Sequence, residues 1–231
     1  MSAESSYPVT EANTVEAVLW DFDGTLVDSE PFWIEAEFAL VAEHGGTWTM
    51  EQALSCVGES LPSSADKMLA VIEPGHGYTT WDWVGLLVER AGGVMAQHEI
   101  NWRPGAERLL RELSATGVRQ ALVTSSPNDF IRGVIERLDP MPFETIVTAE
   151  TVSRHKPDPE PYLHAASALG VDVTRCVVLE DSRAGTAAAL AAGARVVTAP
   201  SVDGTTYEQT DILLDSLADV TADHLLDTFW K

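Results

Sequence analysis

Two aspartates separated by one residue, Asp21 and Asp23, close the apolar run "AVLW" and are followed at once by Gly24. If that run is a strand, its alternation turns both carboxylates to the same side of the chain as it leaves the sheet. Taken alone, the pair also suits a turn with an Asx hydrogen bond, followed by a helix cap at Thr25 or Asp28. A second apolar run, in "VVLEDSRAG", ends on Glu180 and Asp181. Four carboxylates converging on one sheet edge in a partly dry cleft would cost several kcal/mol apiece, and a divalent cation is the natural compensation. A ligand set made only of oxygen favours Mg2+ over zinc. "ALVTSSPN" adds the hydroxyls of Thr124, Ser125 and Ser126, with backbone N–H groups just ahead of a helix start, an arrangement that binds anions. "SRHKPDPEPY" sets Lys156 before Pro157, where a stiff turn can hold the ammonium toward the same cleft. Singly, the first is an ordinary helix cap and the second a solvated lysine; jointly they describe an anion beside a metal ion.

These residues need elements that bring distant segments together. From Val118 onward, "RQALVTSS", "ETIVTAE", "RCVVLED" and "ARVVTAP" read as strands, with "NDFIRGVIERL", "PEPYLHAASALG" and "RAGTAAALAAG" as helices between them. Gly170 and Gly193 close the last two helices. This alternation predicts a parallel sheet covered by helices. "PGAERLLRELSATG" predicts a helix with Pro104 at its start and Gly117 past its end, and "EAVLWDF" is the first strand, far upstream. Between them run the helical patterns "EPFWIEAEFALVAEHGG", "MEQALSCVG", "LPSSADKMLAVI" and "TWDWVGLLVERAGGVMAQ", with no convincing strand. A helical insert after the first strand of a doubly wound sheet stands over the carboxyl ends of the strands, where such folds bind ligands. The expected fold class is α/β: a doubly wound parallel sheet with a Rossmann-like core from residues 1–29 and 102–231, and an inserted all-helical cap domain at 30–101. The tail from Ser201 reads as acidic and turn-rich.

With 231 residues and 45% hydrophobic side chains the chain can bury a sizeable core. A net charge of -22 argues against a nucleic-acid backbone or an anionic membrane surface as a partner. The two cysteines, Cys56 and Cys176, stand in apolar segments and are expected to be reduced, packed thiols. The amino terminus carries acids where a signal peptide needs positive charge, and nowhere do ~18 uncharged apolar residues run together. A soluble, cytoplasmic monomer acting on a small molecule is the expectation.

In this order and spacing, "DFDGTLVDSE", "LVTSS", "HKPDPEPY" and "VLEDSRAG" closely resemble the four motifs of the haloacid dehalogenase superfamily of phosphotransferases. The resemblance spans about Val18 to Pro200, and the helical insert is similar to the α-helical cap of the subgroup that contains sugar-phosphate phosphatases and beta-phosphoglucomutase. It implies that Asp21 is the nucleophile that attacks phosphorus, and also a Mg2+ ligand. Asp23 would be the acid and base, protonating the departing alcohol and then activating the water that hydrolyses the aspartyl-phosphate, with its backbone carbonyl on the metal. Asp181 would complete the protein's share of the Mg2+ shell, and Glu180 would be either a further ligand or an outer acceptor. Thr124, the backbone around Ser125, and Lys156 would neutralise the phosphoryl oxygens, while Gly24 lets the backbone approach the phosphate. The implied substrate is a small phosphate monoester, a sugar or polyol phosphate.

Mutases of the subgroup carry a histidine about twelve residues after the nucleophile, an arginine in a "GxSR" cap segment and a lysine before the asparagine of the second motif. Here the corresponding residues are Trp33, Leu61 and Pro127, so hydrolysis is favoured over a beta-phosphoglucomutase-type transfer. Dehalogenating members lack the second aspartate, which is present here as Asp23. A silent phosphate-binding module would have lost the nucleophile or a metal acid, and none is missing. Substrate choice is assigned to the cap and its edges, with Glu59 and Ser60 in "CVGESLPSS" and Asn128 as the candidates. Phe32, Trp33, Trp81, Trp83 and Trp102 either line a pocket for a sugar ring or pack as cap core.

Overall fold

Every residue of β1 (Ala17–Trp20) is buried, as an all-apolar strand requires of a parallel sheet covered on both faces. In the computed structural model, which describes residues 14–57, 59–202, 205–207 and 209–228, this strand is central. The acidic amino-terminal stretch, Gly58 of the cap loop and part of the acidic tail lie outside the described residues. Strand β1 is flanked by β2 (Arg119–Val123) and β4 (Cys176–Glu180), and β3 (Thr145–Val147), β5 (Arg195–Thr198) and β6 (Ile212–Leu213) complete the sheet. The order is β3-β2-β1-β4-β5-β6 with every pair parallel. The chain winds outward through β2 and β3, then returns to β4 on the other side of β1. That reversal is the switch point at which open α/β sheets bind ligands. Trp20 is level with both Leu122 and Leu179, so Asp21, Val123 and Glu180 leave the sheet at one height.

Four helices follow β1 with no strand between them among the described residues: α1 (Glu30–Glu43), α2 (Met50–Leu54), α3 (Leu61–Leu69) and α4 (Thr80–Gln97). They form the helical cap. Capping boxes at Thr49 and Thr79 start α2 and α4. The two crossings between cap and sheet are tied together, the Asp28 N–H to the Asn101 carbonyl at 2.8 Å and the Asn101 amide to the Asp28 carbonyl at 3.1 Å. The sheet helices are α5 (Ala106–Thr116), α6 (Asn128–Ile135), α7 (Glu160–Leu169), α8 (Arg183–Ala192) and α9 (Ala222–Thr228).

Alternation along β1 divides the core. Val18, Trp20 and Phe22 face the side packed by Leu109 and Leu113 of α5, Phe130 of α6 and Leu225 of α9. Ala17 and Leu19 face Tyr162 and Ala165 of α7 and Ala188 and Ala189 of α8. The cap also touches this core directly: a Cβ on Gly92 of α4 would lie 2.6 Å from the Asp129 carbonyl oxygen, and one on Gly133 of α6 would lie 2.8 Å from the Ala96 Cβ. Only residues without side chains let the two helices approach so closely.

The structure departs from expectation at two places. Helix α5 begins at Ala106 with Gly105 as its cap, so Pro104 precedes the helix instead of opening it. The turn-rich tail holds β6 and α9, whose Ala222 and Leu225 are buried. Both cysteines are buried and unpaired, and no helix among the described residues is long and apolar enough to cross a membrane.

Candidate active site

The level strand ends put Lys156 between two acids. Its Nζ donates to Asp21 Oδ1 at 2.6 Å, to Glu180 Oε1 at 2.7 Å and to the Val123 carbonyl at 2.9 Å. The Tyr162 hydroxyl also donates to Glu180 Oε1, at 2.7 Å. Glu180 Oε2 accepts the N–H groups of Asp181 and Ser182 and the Ser182 hydroxyl, each at 3.0 Å. Both oxygens of Glu180 are therefore occupied by the chain's own donors. Asp21 Oδ2, by contrast, is buried without a hydrogen-bond partner. Asp21, Glu180 and Asp181 can each offer an oxygen within 4.8 Å of the others. One buried ammonium faces three buried carboxylates, and the orphaned Oδ2 in an all-oxygen set fits a hard divalent cation.

The titration behaviour follows from this crowding. Burial, reinforced by the charge of Glu180, pushes the Asp21 carboxyl well above the usual range against the pull of Lys156. Asp181 is pushed up to about 7 by burial and then by Glu180. Burial opposes the charges of both Lys156 and Glu180, but attraction wins: Lys156 holds Glu180 below the usual carboxylate range, and Asp21 and then Glu180 hold Lys156 well above its ordinary value.

Asp23 has different surroundings. Ser29 donates to Oδ1 at 2.6 Å, and Ser126 and Thr124 donate to Oδ2 at 2.5 and 3.2 Å. Burial raises its carboxyl while the three hydroxyls pull it down. A hydroxyl can donate to a carboxylate or accept from a carboxylic acid, so this cradle accommodates the group in either protonation state. Gly24 follows with φ +80°, and a Cβ there would stand 2.2 Å from Asp181 Oδ2, so the turn holding the acids together admits only glycine.

A cavity of about 680 Å³ opens over these groups, with Asp23, Ser125, Ser126 and Lys156 at its sheet end. Glu59 and Ser60 line its cap end; Glu59 is held by Lys67 at 2.8 Å and Ser63 at 2.6 Å, and Ser60 caps α3. Asn128 is not part of the wall, and its backbone N–H donates to the Glu150 carboxylate at 3.2 Å. Of the five aromatics, Trp33 and Trp81 line the cavity, Phe32 and Trp83 are buried, and Trp102 packs half-buried on the core. Trp33 stacks on Phe130 with centroids 4.1 Å apart. Sequence reasoning missed Tyr162, Ser29, Glu30 and Glu37. Of these, Glu30 and Glu37 carried a readable signal, since with Trp33 they fall at i, i+3 and i+7 on one helix face.

Comparison with known proteins decides what family this arrangement belongs to. Residues 18–199 match the model of the haloacid dehalogenase-like hydrolases. The chain belongs to that family. This haloacid dehalogenase-like hydrolase is 30% identical over 215 residues to hexitol phosphatase B of Escherichia coli (strain K12), covering 91% of this chain and 96% of that one. It is 31% identical over 218 residues to validoxylamine A 7'-phosphate phosphatase of Streptomyces hygroscopicus subsp. limoneus, covering 91% and 98%. Its fold matches that of a CbbY mutant of Rhodobacter sphaeroides in complex with xylulose-(1,5)bisphosphate, with a TM-score of 0.80 at 27% identity over 91% and 99% of the two chains.

Proposed function

We propose that this phosphoric monoester hydrolase cleaves a sugar or polyol phosphate in two steps, through an aspartyl-phosphate on Asp21, with Mg2+ as its cofactor. The contrast at the end of β1 carries the reading. Asp21 has one oxygen on Lys156 and the other unpartnered, while Asp23, two residues on, sits among three hydroxyls at the cavity wall. In the first step an Asp21 oxygen bonds to phosphorus as the ester P–O bond breaks, and the Asp23 proton passes to the departing alcohol oxygen. In the second, Asp23 takes a proton from water as the water oxygen attacks phosphorus, the bond to Asp21 breaks and inorganic phosphate leaves. Lys156 and the loop at Ser125 supply positive potential for the phosphoryl oxygens, with the Thr124 hydroxyl bridging that loop to Asp23.

Asp21, the Asp23 backbone carbonyl and Asp181 would hold Mg2+, with Glu180 outside the shell because its oxygens are already occupied. Bound there, the ion neutralises phosphoryl charge and fixes the attacking carboxylate. Two phosphatases among the relatives, one of them named for hexitols, support phosphomonoester hydrolysis. Lys156 is the one Lys or Arg among the described residues lining the cavity, which supports hydrolysis over a mutase that must hold a second phosphate. The tied crossings at Asp28 and Asn101 support dividing the chain into a core of 1–29 and 102–231 and a cap of 30–101. Phosphate release from a panel of hexitol, hexose and aryl phosphates tests the reading. Turnover of a polyol phosphate with Mg2+ and its loss after chelation are expected. Full activity without a divalent ion, or phosphoryl transfer to a sugar without phosphate release, would overturn it.

A further inference from the structure

The cap end of the cavity holds a buried acid that the two-step chemistry does not use. Glu37 shares a face of α1 with Glu30 and Trp33, lines the cavity, and is only 5% exposed. Its Oε2 accepts the Trp48 indole N–H at 3.0 Å. Its Oε1 takes no hydrogen bond from, and forms no ion pair with, any described residue, and the side chain belongs to the cavity wall. Burial pushes this carboxyl up to about 7 against the Trp48 bond, with Glu30 adding to the rise and Lys67 opposing it weakly. A half-satisfied carboxyl held away from water is costly unless something donates to it.

The rest of the wall indicates what kind of ligand. Glu37 and Glu59 stand at the cap end, Glu30 follows Ser29 on the way from Asp23, and Lys156, at the sheet end, is engaged by Asp21 and Glu180. A phosphate belongs at the sheet end. A second anion at the cap end would meet like charges and no Lys or Arg among the described lining residues. Neutral hydroxyls would meet acceptors, with Trp33, Trp81 and Leu61 offering apolar surface to the carbon chain.

We propose that Glu37 determines specificity: its open oxygen accepts a hydrogen bond from a hydroxyl of the leaving alcohol, and together with Glu30 it selects neutral polyhydroxylated monophosphates over esters bearing a second phosphate or a carboxylate. This rests on the phosphatase reading above and assigns its substrate class to named residues. The test compares kcat/KM for a hexitol monophosphate, the aldonic-acid monophosphate phosphorylated at the same carbon, and 4-nitrophenyl phosphate, in the parent, Glu37→Gln and Glu37→Leu. The parent should prefer the hexitol ester to the aldonate ester by about tenfold or more, and Glu37→Gln, which keeps an oxygen for Trp48, should narrow that ratio at least about threefold. Glu37→Leu should lower kcat/KM for the hexitol ester by about 10- to 100-fold, well beyond its effect on the aryl ester. Equal losses on hexitol and aryl esters in both variants would make Glu37 structural and overturn the proposal. So would a parent enzyme that prefers the aldonate. Turnover of the aryl ester but of no hexitol ester would leave the phosphatase chemistry standing and sink this assignment alone, whereas no turnover of any ester with Mg2+ would sink both.

Discussion

The two ends of the cavity are built to different standards. At the sheet end almost every polar atom is cross-linked: Lys156 has three acceptors, Glu180 five donors and Asp23 three hydroxyls. The acids among them follow or end strands whose heights are fixed by ladder hydrogen bonds. At the cap end Glu37 makes one bond, the Glu59–Lys67 pair is about a third exposed, and Trp81 is 71% exposed. Making and breaking a P–O bond demands preorganised geometry, which over-determined strand ends supply. Recognition of an alcohol needs atoms left open for it, which cap helices beyond the strand ends can offer.

The largest effect should come from the sheet end. Asp21→Asn removes the attacking charge and keeps the shape, so phosphate release should fall by roughly 10⁴-fold or more while the thermal unfolding curve stays cooperative. Residual activity above about a hundredth of the parent's would place the nucleophile elsewhere and dissolve the contrast between the two ends.

Asp23→Asn should be graded by leaving group. An alkoxide leaves badly unless protonated, so the burst that forms the aspartyl-phosphate should slow by about 10²- to 10⁴-fold with a hexitol phosphate and much less with 4-nitrophenyl phosphate. The hydrolytic step should be slow with both. Equal burst losses would leave Asp23 as a positioning group only.

A lysine at each end sharpens the comparison in stability. Lys156→Met strands buried carboxylates without their ammonium and should cost about 3–5 kcal/mol in urea unfolding with chelator present. Lys67→Met removes an exposed pair and should cost less than about 1 kcal/mol. Similar losses at the two positions would mean that the ends do not differ in rigidity as described.

The cap end also predicts a pH dependence of stability at Glu37. Its carboxyl is raised in the fold to about 7 from 4.5, so folding favours the protonated form. The stability this group contributes is fully present below about pH 4.5 and is lost as pH rises through about 7. Glu37→Gln has no proton to lose. Its Tm should match the parent's near pH 5 and exceed it near pH 8.5, and a difference independent of pH would show that Glu37 ionises freely in the fold.

Much of the sheet end was legible in the sequence because its signals are local and doubled. Apolar strands ending in acids or hydroxyls, each followed by a glycine or a helix start, fix both the element and the residue at its tip, so Asp21, Asp23, Thr124 and Asp181 could be named before any coordinates. Tyr162 was not, because its hydroxyl reaches Glu180 across two elements and a tyrosine in an apolar helix face looks like core. The cap was legible as helices and poorly as a wall. Helix α1 buries Phe32, Ala36, Leu40 and Val41 and also turns Glu30, Trp33 and Glu37 to the cavity, so it is occupied around most of its circumference and its acids resemble solvent-facing ones. Asn128 adjoins the Ser125 loop in sequence but is not among the residues lining the cavity, and its backbone N–H is given to Glu150. β6 and α9 were missed because a two-residue strand and a seven-residue helix with two buried residues carry too little periodicity to read.

The contact of Gly92 with Asp129 and of Gly133 with Ala96 sets a rule for anyone grafting a new cap onto this scaffold. The longest cap helix is seated on the helix that continues from the anion loop, so an exchange cut only at the two crossings near Asp28 and Asn101 would bring a foreign helix face against α6. A donor lacking small residues opposite Asp129 and Gly133 would be levered off that seat, lifting its specificity wall away from the phosphate it must face. Chimaeras of this enzyme should therefore exchange α6 along with the cap, treating a piece of the sheet domain as part of the interchangeable module.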